Sequence, residues 1–211
     1  MHDSFPNHRE NALKILGLNK DASRDDVVEK MLHWKSVKVE DAAFRGGAVM
    51  AALRSTEEWD ALPQAQAIAD RPIDIACIAK SEPYLPPLPK GVADNTCLPG
   101  IRVVEMSRVI AVPVAGKTLA AHGADVMWIT SPTLPDLPNL DIDVSRGKRT
   151  VQLDIKTPDG MAKLIDLLRT ADVFLQSYRP GSLAKYGLST DELLRLNPSL
   201  IIASLSAYGS H

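Results

Sequence analysis

Short apolar runs alternate with amphipathic segments from residue 101 to the end of the chain. The apolar runs are too short for helices and are typical of buried strands: IRVVEM, ADVMWI, TVQLDI, ADVFLQ and SLIIASLS. The amphipathic segments between them predict helices: VPVAGKTLAAHG, TPDGMAKLIDLLRT, GSLAKYG and TDELLRLN. Strands that alternate with helices favour a parallel sheet covered on both faces. The predicted fold class is therefore α/β, a Rossmann-like doubly wound parallel sheet over residues 100–211.

A mostly helical segment is predicted before this sheet, over residues 1–80. Ser23 with Asp26, and Ser55 with Glu58, have the spacing of capping boxes. The alternating run IDIACIA predicts a strand at a domain edge. Residues 81–99 are predicted to form an extended linker, because this proline-rich stretch lacks the backbone donors that regular elements need.

Composition excludes several classes of protein and partner. The net charge is −2, so we expect no general attraction to nucleic acid or to an acidic membrane. The sequence contains no run of 18 apolar residues, so no transmembrane helix is predicted. The first residues lack a secretion or transit pattern, so a cytoplasmic location is expected, with mitochondrial or peroxisomal locations left open. The two cysteines and five histidines do not have metal-ligand spacing, so no metal site is predicted.

Four cations lie at or near the carboxyl ends of the predicted strands: Arg108, Lys156, Arg179 and Lys185. Ligands of doubly wound sheets bind at that edge, so these side chains could hold an anionic, phosphate-rich ligand. Neither GxGxxG nor GxxxxGK[ST] occurs, which argues against a pyrophosphate held by a glycine-rich turn. A solvated loop is the alternative for each cation, and the pair Lys148–Arg149 could serve only to protect an edge strand.

Four motifs occur in an order that resembles the N-terminal part of a family III CoA-transferase. They are PGIRVVEMSRV, GKRTVQLDIKTPDG, ADVFLQSYRPG and LNPSLIIASLSAYG, and together they span residues 98–209. This is the CaiB/BaiF group, which includes formyl-CoA transferase and α-methylacyl-CoA racemase. The resemblance implies a CoA-binding α/β domain.

The first residues resemble a different part of the same family. The run FRGGAVMAALRSTEEWDALPQ is similar to the late portion of such a transferase. The implied layout is the tail of one unit over residues 1–80, the linker over residues 81–99, and the head of a second unit over residues 100–211. This chain would then be a fragment of a tandem fused member. The family forms interlocked homodimers, and a fused tandem would imitate one as an intramolecular pseudo-dimer.

The resemblance implies coenzyme A or an acyl-CoA as substrate, a carboxylic acid as second substrate, and no permanently bound cofactor. Contacts with CoA would come from the loop after each strand. The residues that the resemblance assigns are Arg108, Val109, Ile110 and Ala111 beside the pantetheine and thioester; Ser131, at a phosphate-contacting position; Leu153, Asp154, Ile155 and Lys156 along the adenosine, with Lys156 near phosphate; Ser177, Tyr178 and Arg179 beside adenine and pantetheine; and Lys185 at a phosphate.

Transfer in this family uses an aspartate that attacks the thioester. The resemblance places that nucleophile after the AYG segment, beyond His211, so no catalytic residue is predicted within the chain. Val112 replaces a family glycine and is expected to crowd the ligand, and WIT replaces a K-x-E pattern at residues 128–130. The alternatives are a non-catalytic structural half, a racemase-like isomerase, or an unrelated nucleotide-binding domain.

Overall fold

The computed structural model describes residues 1–68, 71–81 and 96–209. The chain divides into two compact units, Met1–Ala67 and Ile68–His211. Most of the predicted linker lies outside the described residues, so its extended conformation stays a prediction.

The first unit is helical, as the sequence predicts. Its helices are α1 (Pro6–Ile15), α2 (Arg24–Met31), α3 (Ser36–Gly46), α4 (Thr56–Asp60) and α5 (Pro63–Ala67). Both predicted capping boxes are present, at the starts of α2 and α4. A small core forms between α1 and α3 and includes Ala12, Leu16, Val39 and Ala43.

The predicted strand IDIACIA is wrong. Residues 71–81 contain no strand in the part of the chain that the structure describes. Ile73 is 72% exposed and Ile75 is 89% exposed, so the alternation does not bury one face. An alternating run becomes a strand only when a neighbouring strand accepts its backbone hydrogen bonds, and residues 71–81 have no such pairing in the structure.

The second unit contains the predicted parallel sheet. Its elements in chain order are β1 (Arg102–Met106), α6 (Ala111–Ala121), β2 (Asp125–Thr130), α7 (Pro138–Val144), β3 (Arg149–Gln152), α8 (Pro158–Arg169), β4 (Val173–Gln176), α9 (Thr190–Leu196) and β5 (Ile201–Ser204). A single 3₁₀ turn, Ala184–Tyr186, forms where the sequence predicts a short helix. The strand order is β3-β2-β1-β4-β5, and every pairing is parallel. The α/β prediction is therefore confirmed.

Side chains on both faces of the central strands are buried. Val104 and Phe174 belong to the core on one face of the sheet, together with Leu164 and Leu168 of α8. The neighbouring residue of β1, Val103, belongs to the core on the other face. Successive residues of a strand point to opposite faces. Burial on both faces explains why the strands read as continuous apolar runs.

Helix α8 begins as the sequence predicts. Thr157 is the N-cap, and its Oγ1 accepts a hydrogen bond from the backbone N–H of Gly160 at 3.1 Å. Pro158 occupies the first helical position, where its missing N–H costs no intrahelical hydrogen bond. The helix start is therefore fixed directly after the loop that follows β3.

Candidate functional site

The loops after the strands meet at the carboxyl edge of the sheet. The chain runs from β1 to β2 and β3 on one side, then returns to place β4 on the other side of β1. The strand order therefore reverses between β1 and β4. Ligands of open α/β sheets bind in the crevice outside such a reversal. The loops after β1 and β4 are consequently the centre of the candidate site.

The loop after β1 holds four predicted site residues, Arg108, Val109, Ile110 and Ala111. The Nη2 of Arg108 donates a hydrogen bond to the carbonyl of Pro135, in the segment after β2. Val109 has a φ of 71°, which is rare for a β-branched residue. Ile110 is 51% exposed, and Ala111 begins α6. The loop thus presents apolar side chains in an unusual backbone conformation at the edge of the sheet.

A backbone hydrogen bond joins the loop after β4 to the end of β1. The backbone N–H of Ser177 donates to the carbonyl of Met106 at 3.3 Å. Burial raises the pKa of the Tyr178 phenol, and the positive charge of Arg108 acts in the opposite direction. The structure thus brings Arg108, Ser177 and Tyr178 together, whereas Arg179 is exposed. Tyr178 also packs against the core, as expected for most tyrosines.

The four predicted residues after β3 differ in their burial and in their contacts. The side chain of Leu153 is buried in the core, and Ile155 packs against the same core. The Asp154 carboxylate accepts the backbone N–H of Lys156 at 3.0 Å, which fixes the turn into α8. Leu153 and Ile155 can therefore offer a ligand backbone atoms but little side-chain surface. The exposed ammonium of Lys156 is the group of this loop best suited to a phosphate.

Two further predicted residues lie apart from each other. Ser131 lines the same small pocket as Arg108 and Val109, and its hydroxyl lies 3.2 Å from the hydroxyl of Thr133. Lys185 is exposed, with its Nζ 5.0 Å from the ring centroid of the adjacent Tyr186. Ser131 therefore belongs with the loop after β1, whereas Lys185 extends from the 3₁₀ turn that follows β4.

A buried ion pair lies directly beneath the loop after β1. The Nζ of Lys148 is 2.7 Å from Oε2 of Glu105, and neither side chain has any exposed surface. Burial raises the pKa of Glu105 and lowers that of Lys148, and each partner opposes the effect of burial on the other. Lys148 Nζ also lies 4.8 Å from the ring centroid of Trp128.

The sequence did not predict this pair. The sequence predicts for Lys148, together with Arg149, only the protection of an edge strand, and β3 is indeed an edge strand. Only Arg149 is on the surface, where its Nε lies 3.0 Å from Oδ1 of Asp125. The signal available in the sequence was Glu105, a carboxylate within a strand buried on both faces. Such a group needs a buried partner.

The expectation that Val112 crowds the ligand is wrong. Its side chain is fully buried and packs in the core with Val103, Val126 and Leu175. This residue lies in the first turn of α6 and faces the sheet, so its bulk is directed away from the carboxyl edge. Trp128, the first residue of the WIT departure, is also buried, and its indole N–H donates to the carbonyl of Ser107 at 3.1 Å.

Comparison with known sequences decides the family. The sequence model of CoA-transferase family III matches residues 98–211, which is more than half of the chain. The chain belongs to CoA-transferase family III. The match covers the whole parallel sheet together with each loop that carries a predicted site residue.

Individual known proteins align with different shares of the chain. Succinate–glutarate CoA-transferase from Agrobacterium fabrum is 40% identical over 130 residues, covering 53% of this chain and 32% of the relative. An acyl-CoA transferase from Gibberella moniliformis is 31% identical over 199 residues, covering 87% of this chain and 34% of the relative. The crystal structure of Rv3272 from Mycobacterium tuberculosis is 36% identical, with a TM-score of 0.51, over 55% of this chain and 35% of that chain. The chain thus spans about a third of the length of these relatives.

The described residues contain neither a candidate membrane span nor a candidate metal site. No helix there is both long and apolar enough to cross a bilayer. In the same part of the chain, no group of three or more histidine, cysteine, aspartate or glutamate side chains is arranged to hold a metal ion.

Proposed function

We propose that residues 98–211 form the CoA-binding part of a family III CoA-transferase, which moves CoA between an acyl-CoA and a carboxylic acid. The observation that carries this proposal is the group formed by Arg108, Ser177 and Tyr178 at the reversal of strand order. That group lies where doubly wound sheets bind ligands, within the region that matches the family.

The bound CoA extends along the carboxyl edge of the sheet. β3 and β4 are separated by β2 and β1, so their ends lie about 14 Å apart at a strand spacing of about 4.8 Å. An elongated ligand is needed to contact Lys156 after β3 and Tyr178 after β4 at the same time. The pantetheine lies beside Val109 and Ile110, the adenosine runs along residues 153–156, and Lys156 binds a phosphate through a charge-assisted hydrogen bond.

The chemical step requires a carboxylate nucleophile. An aspartate attacks the acyl-CoA thioester to give a mixed anhydride and release the CoA thiolate. The thiolate then attacks the enzyme carbonyl of the anhydride, which yields an enzyme thioester and the first carboxylic acid. The second carboxylate finally takes over CoA through the same type of exchange. The family pattern assigns this aspartate to no position within residues 1–211, so we place it in another part of the complete enzyme.

We infer that the helical unit belongs to the same type of protein. The alignment with the Gibberella moniliformis relative covers 87% of this chain, more than the second unit alone, so it extends into residues of both units. One relative therefore matches parts of both units, and we propose a layout in which the late part of one transferase unit precedes the CoA-binding part of a second. The complete protein then acts as an interlocked homodimer or as an intramolecular pseudo-dimer. Sedimentation of the complete protein distinguishes the two, because a pseudo-dimer sediments as a single chain.

Calorimetric titration with CoA and with 3′-dephospho-CoA tests the proposal. We expect the 211-residue chain to bind CoA, and Lys156→Ala to raise the Kd by about tenfold, the loss expected for one charge-assisted hydrogen bond. If Lys156 contacts the 3′-phosphate, Lys156→Ala affects CoA more than 3′-dephospho-CoA. An equal effect on both ligands assigns Lys156 to the pyrophosphate instead.

Lys163→Ala is the matched control. Lys163 is an exposed lysine of α8, and it forms an ion pair with Asp159 at 2.7 Å on the helix surface. Its replacement should leave the affinity for CoA unchanged. Failure of the wild-type chain to bind CoA at millimolar concentration contradicts the proposal and favours a structural half. Equal losses in the Lys156 and Lys163 variants would mean that only the general positive charge matters.

A further inference from the structure

The segment between β1 and α6 is attached at both ends to one buried ion pair. On the strand side, the hydroxyl of Ser107 donates to Oε1 of Glu105. On the helix side, Nζ of Lys148 donates to the carbonyl of Pro113 at 2.7 Å while it contacts Glu105. Residues 108–112 therefore bridge two anchors that share a single Lys148–Glu105 pair.

Other contacts hold the pair itself in place. Trp128 donates its indole N–H to the Ser107 carbonyl at 3.1 Å, and its ring lies against the Lys148 ammonium. A Cβ on Gly116 would lie only 1.8 Å from Oε2 of Glu105, so α6 leaves room for the carboxylate only because residue 116 is glycine. Pairing with a cation and hydrogen bonding offset the cost of burying the charges. Glu105, Ser107 and Trp128 are buried, and the side chain of Lys148 has no exposed surface.

The backbone between the two anchors is strained. Val109 has a φ of 71°, a left-handed conformation that is unfavourable for β-branched residues. Such conformations persist where the surrounding structure fixes them, and they concentrate at ligand-binding sites. The anchors at Ser107 and Pro113 provide that constraint, because they fix the positions of the residues on either side of the strained segment.

We propose that Lys148 and Glu105 are positioning residues that hold residues 108–112, the loop after β1 with the start of α6, in their CoA-binding conformation, with Val109 kept left-handed. This inference rests on the proposed function, since CoA is the ligand that the loop receives. Lys148 does not touch CoA; it acts through Ser107 and Pro113. Without the pair, Val109 relaxes to an ordinary conformation in the free protein, and CoA must restore the strained one when it binds.

The test compares Lys148→Met with Lys117→Met. Lys117 is the matched control, because it lies on α6 and forms an ion pair with Asp143 at the same distance, 2.7 Å, but near the surface. Calorimetric titration with CoA at a temperature far below unfolding should give a Kd at least about fivefold higher for Lys148→Met, the factor that corresponds to restoring one strained residue. The Lys117 variant should bind like the wild type.

The backbone ¹³C chemical shifts of Val109 provide a readout that does not depend on CoA. In the free wild type and in Lys117→Met, these shifts should report the left-handed conformation. In Lys148→Met they should move towards extended values, while the remaining amide signals stay dispersed. Ser107→Ala removes one anchor and leaves the ion pair, so it should show smaller changes of the same kind and serves as the second variant if Lys148→Met does not fold.

Each outcome bears on a different statement. The positioning role is overturned, and the proposed function left intact, if Lys148→Met keeps both the Val109 shifts and the CoA affinity of the wild type. If Lys148→Met does not fold, the same result in Ser107→Ala overturns it. Changed shifts with unchanged affinity overturn the link between loop conformation and CoA. If the wild type itself does not bind CoA, the proposed function fails and the ligand step of this inference fails with it. The Val109 shifts then still decide whether the pair holds the loop.

Discussion

Replacement of Gly116 by alanine is the sharpest perturbation of the buried pair. The new Cβ would lie 1.8 Å from Oε2 and 2.7 Å from Cδ of Glu105, and 3.1 Å from Nζ of Lys148. Ordinary contacts of a methyl carbon are about 3.5–4.0 Å. The Glu105 carboxylate therefore has to move by more than about 1 Å to reach an ordinary contact distance from the new methyl group. Such a shift breaks its contact with Lys148.

The expected loss of stability follows from two opposing effects. Breaking a buried ion pair costs about 3–5 kcal/mol, because each charge is left buried without its partner. Alanine instead of glycine inside a helix contributes about 1 kcal/mol in the opposite direction. The free energy of unfolding should therefore fall by about 2–4 kcal/mol. Simple replacement of an unpacked glycine in α6 would raise stability, so even the sign of the change is informative.

Urea unfolding followed by tryptophan fluorescence measures this change. Trp128 becomes the single reporter in a background that carries Trp34→Phe and Trp59→Phe, and it is in contact with Lys148. Thr118→Ala is the control, because it replaces an exposed residue of the same helix without adding atoms, and it should change stability by less than about 0.5 kcal/mol. A Gly116→Ala variant as stable as its parent would mean that Glu105 does not lie against α6.

The remaining predictions concern pH and a helix end. Lys148→Met leaves Glu105 buried without its cation, so the pKa of this carboxyl in the folded state rises further. Because a raised pKa favours the folded state at low pH, the variant should lose less unfolding free energy relative to the wild type at pH 5 than at pH 8 in urea unfolding. An equal loss at both pH values would contradict a charged Glu105. Asn197→Ala should lower the free energy of unfolding by about 1–3 kcal/mol in the same assay, because its Nδ2 donates to the carbonyls of Leu168 at 3.1 Å and Ala171 at 2.8 Å; no change would mean that water replaces it.

Local patterns in the sequence were sufficient to predict the sheet. The five strands are short apolar runs, and the helices between them have recognisable starts, such as Thr157 before Pro158. Both kinds of signal, the apolar runs and the helix starts, depend only on residues that are close together in the sequence. Helix α7 was missed because it lies in a proline-rich segment, and the predicted strand IDIACIA failed because its alternation has no partner strand among the described residues. A strand depends on partners that are distant in sequence, which no local pattern contains.

Sequence patterns predicted which loops lie at the carboxyl edge of the sheet, but not how the side chains of those loops are arranged. The carboxyl edge follows from strand order, so the structure brings Arg108 and Tyr178 to the same region. Which side chains after each strand face the core was not predictable: Leu153, in the loop after β3, and Val112, in the first turn of α6, are both buried. The Lys148–Glu105 contact joins residues 43 positions apart, and only the folded sheet brings them together.

Mapping CoA onto the backbone amides by NMR tests the central claim most directly. The claim is that the loops at the carboxyl edge of the sheet form one CoA site. Titration of the ¹⁵N-labelled chain with CoA should shift amide signals of residues 107–111, 154–157 and 177–179 together, with one shared Kd, and should leave the amino edge at residues 124–125 and 171–172 unchanged. Shifts confined to the amino edge, or no saturable shifts at all, would contradict the claim.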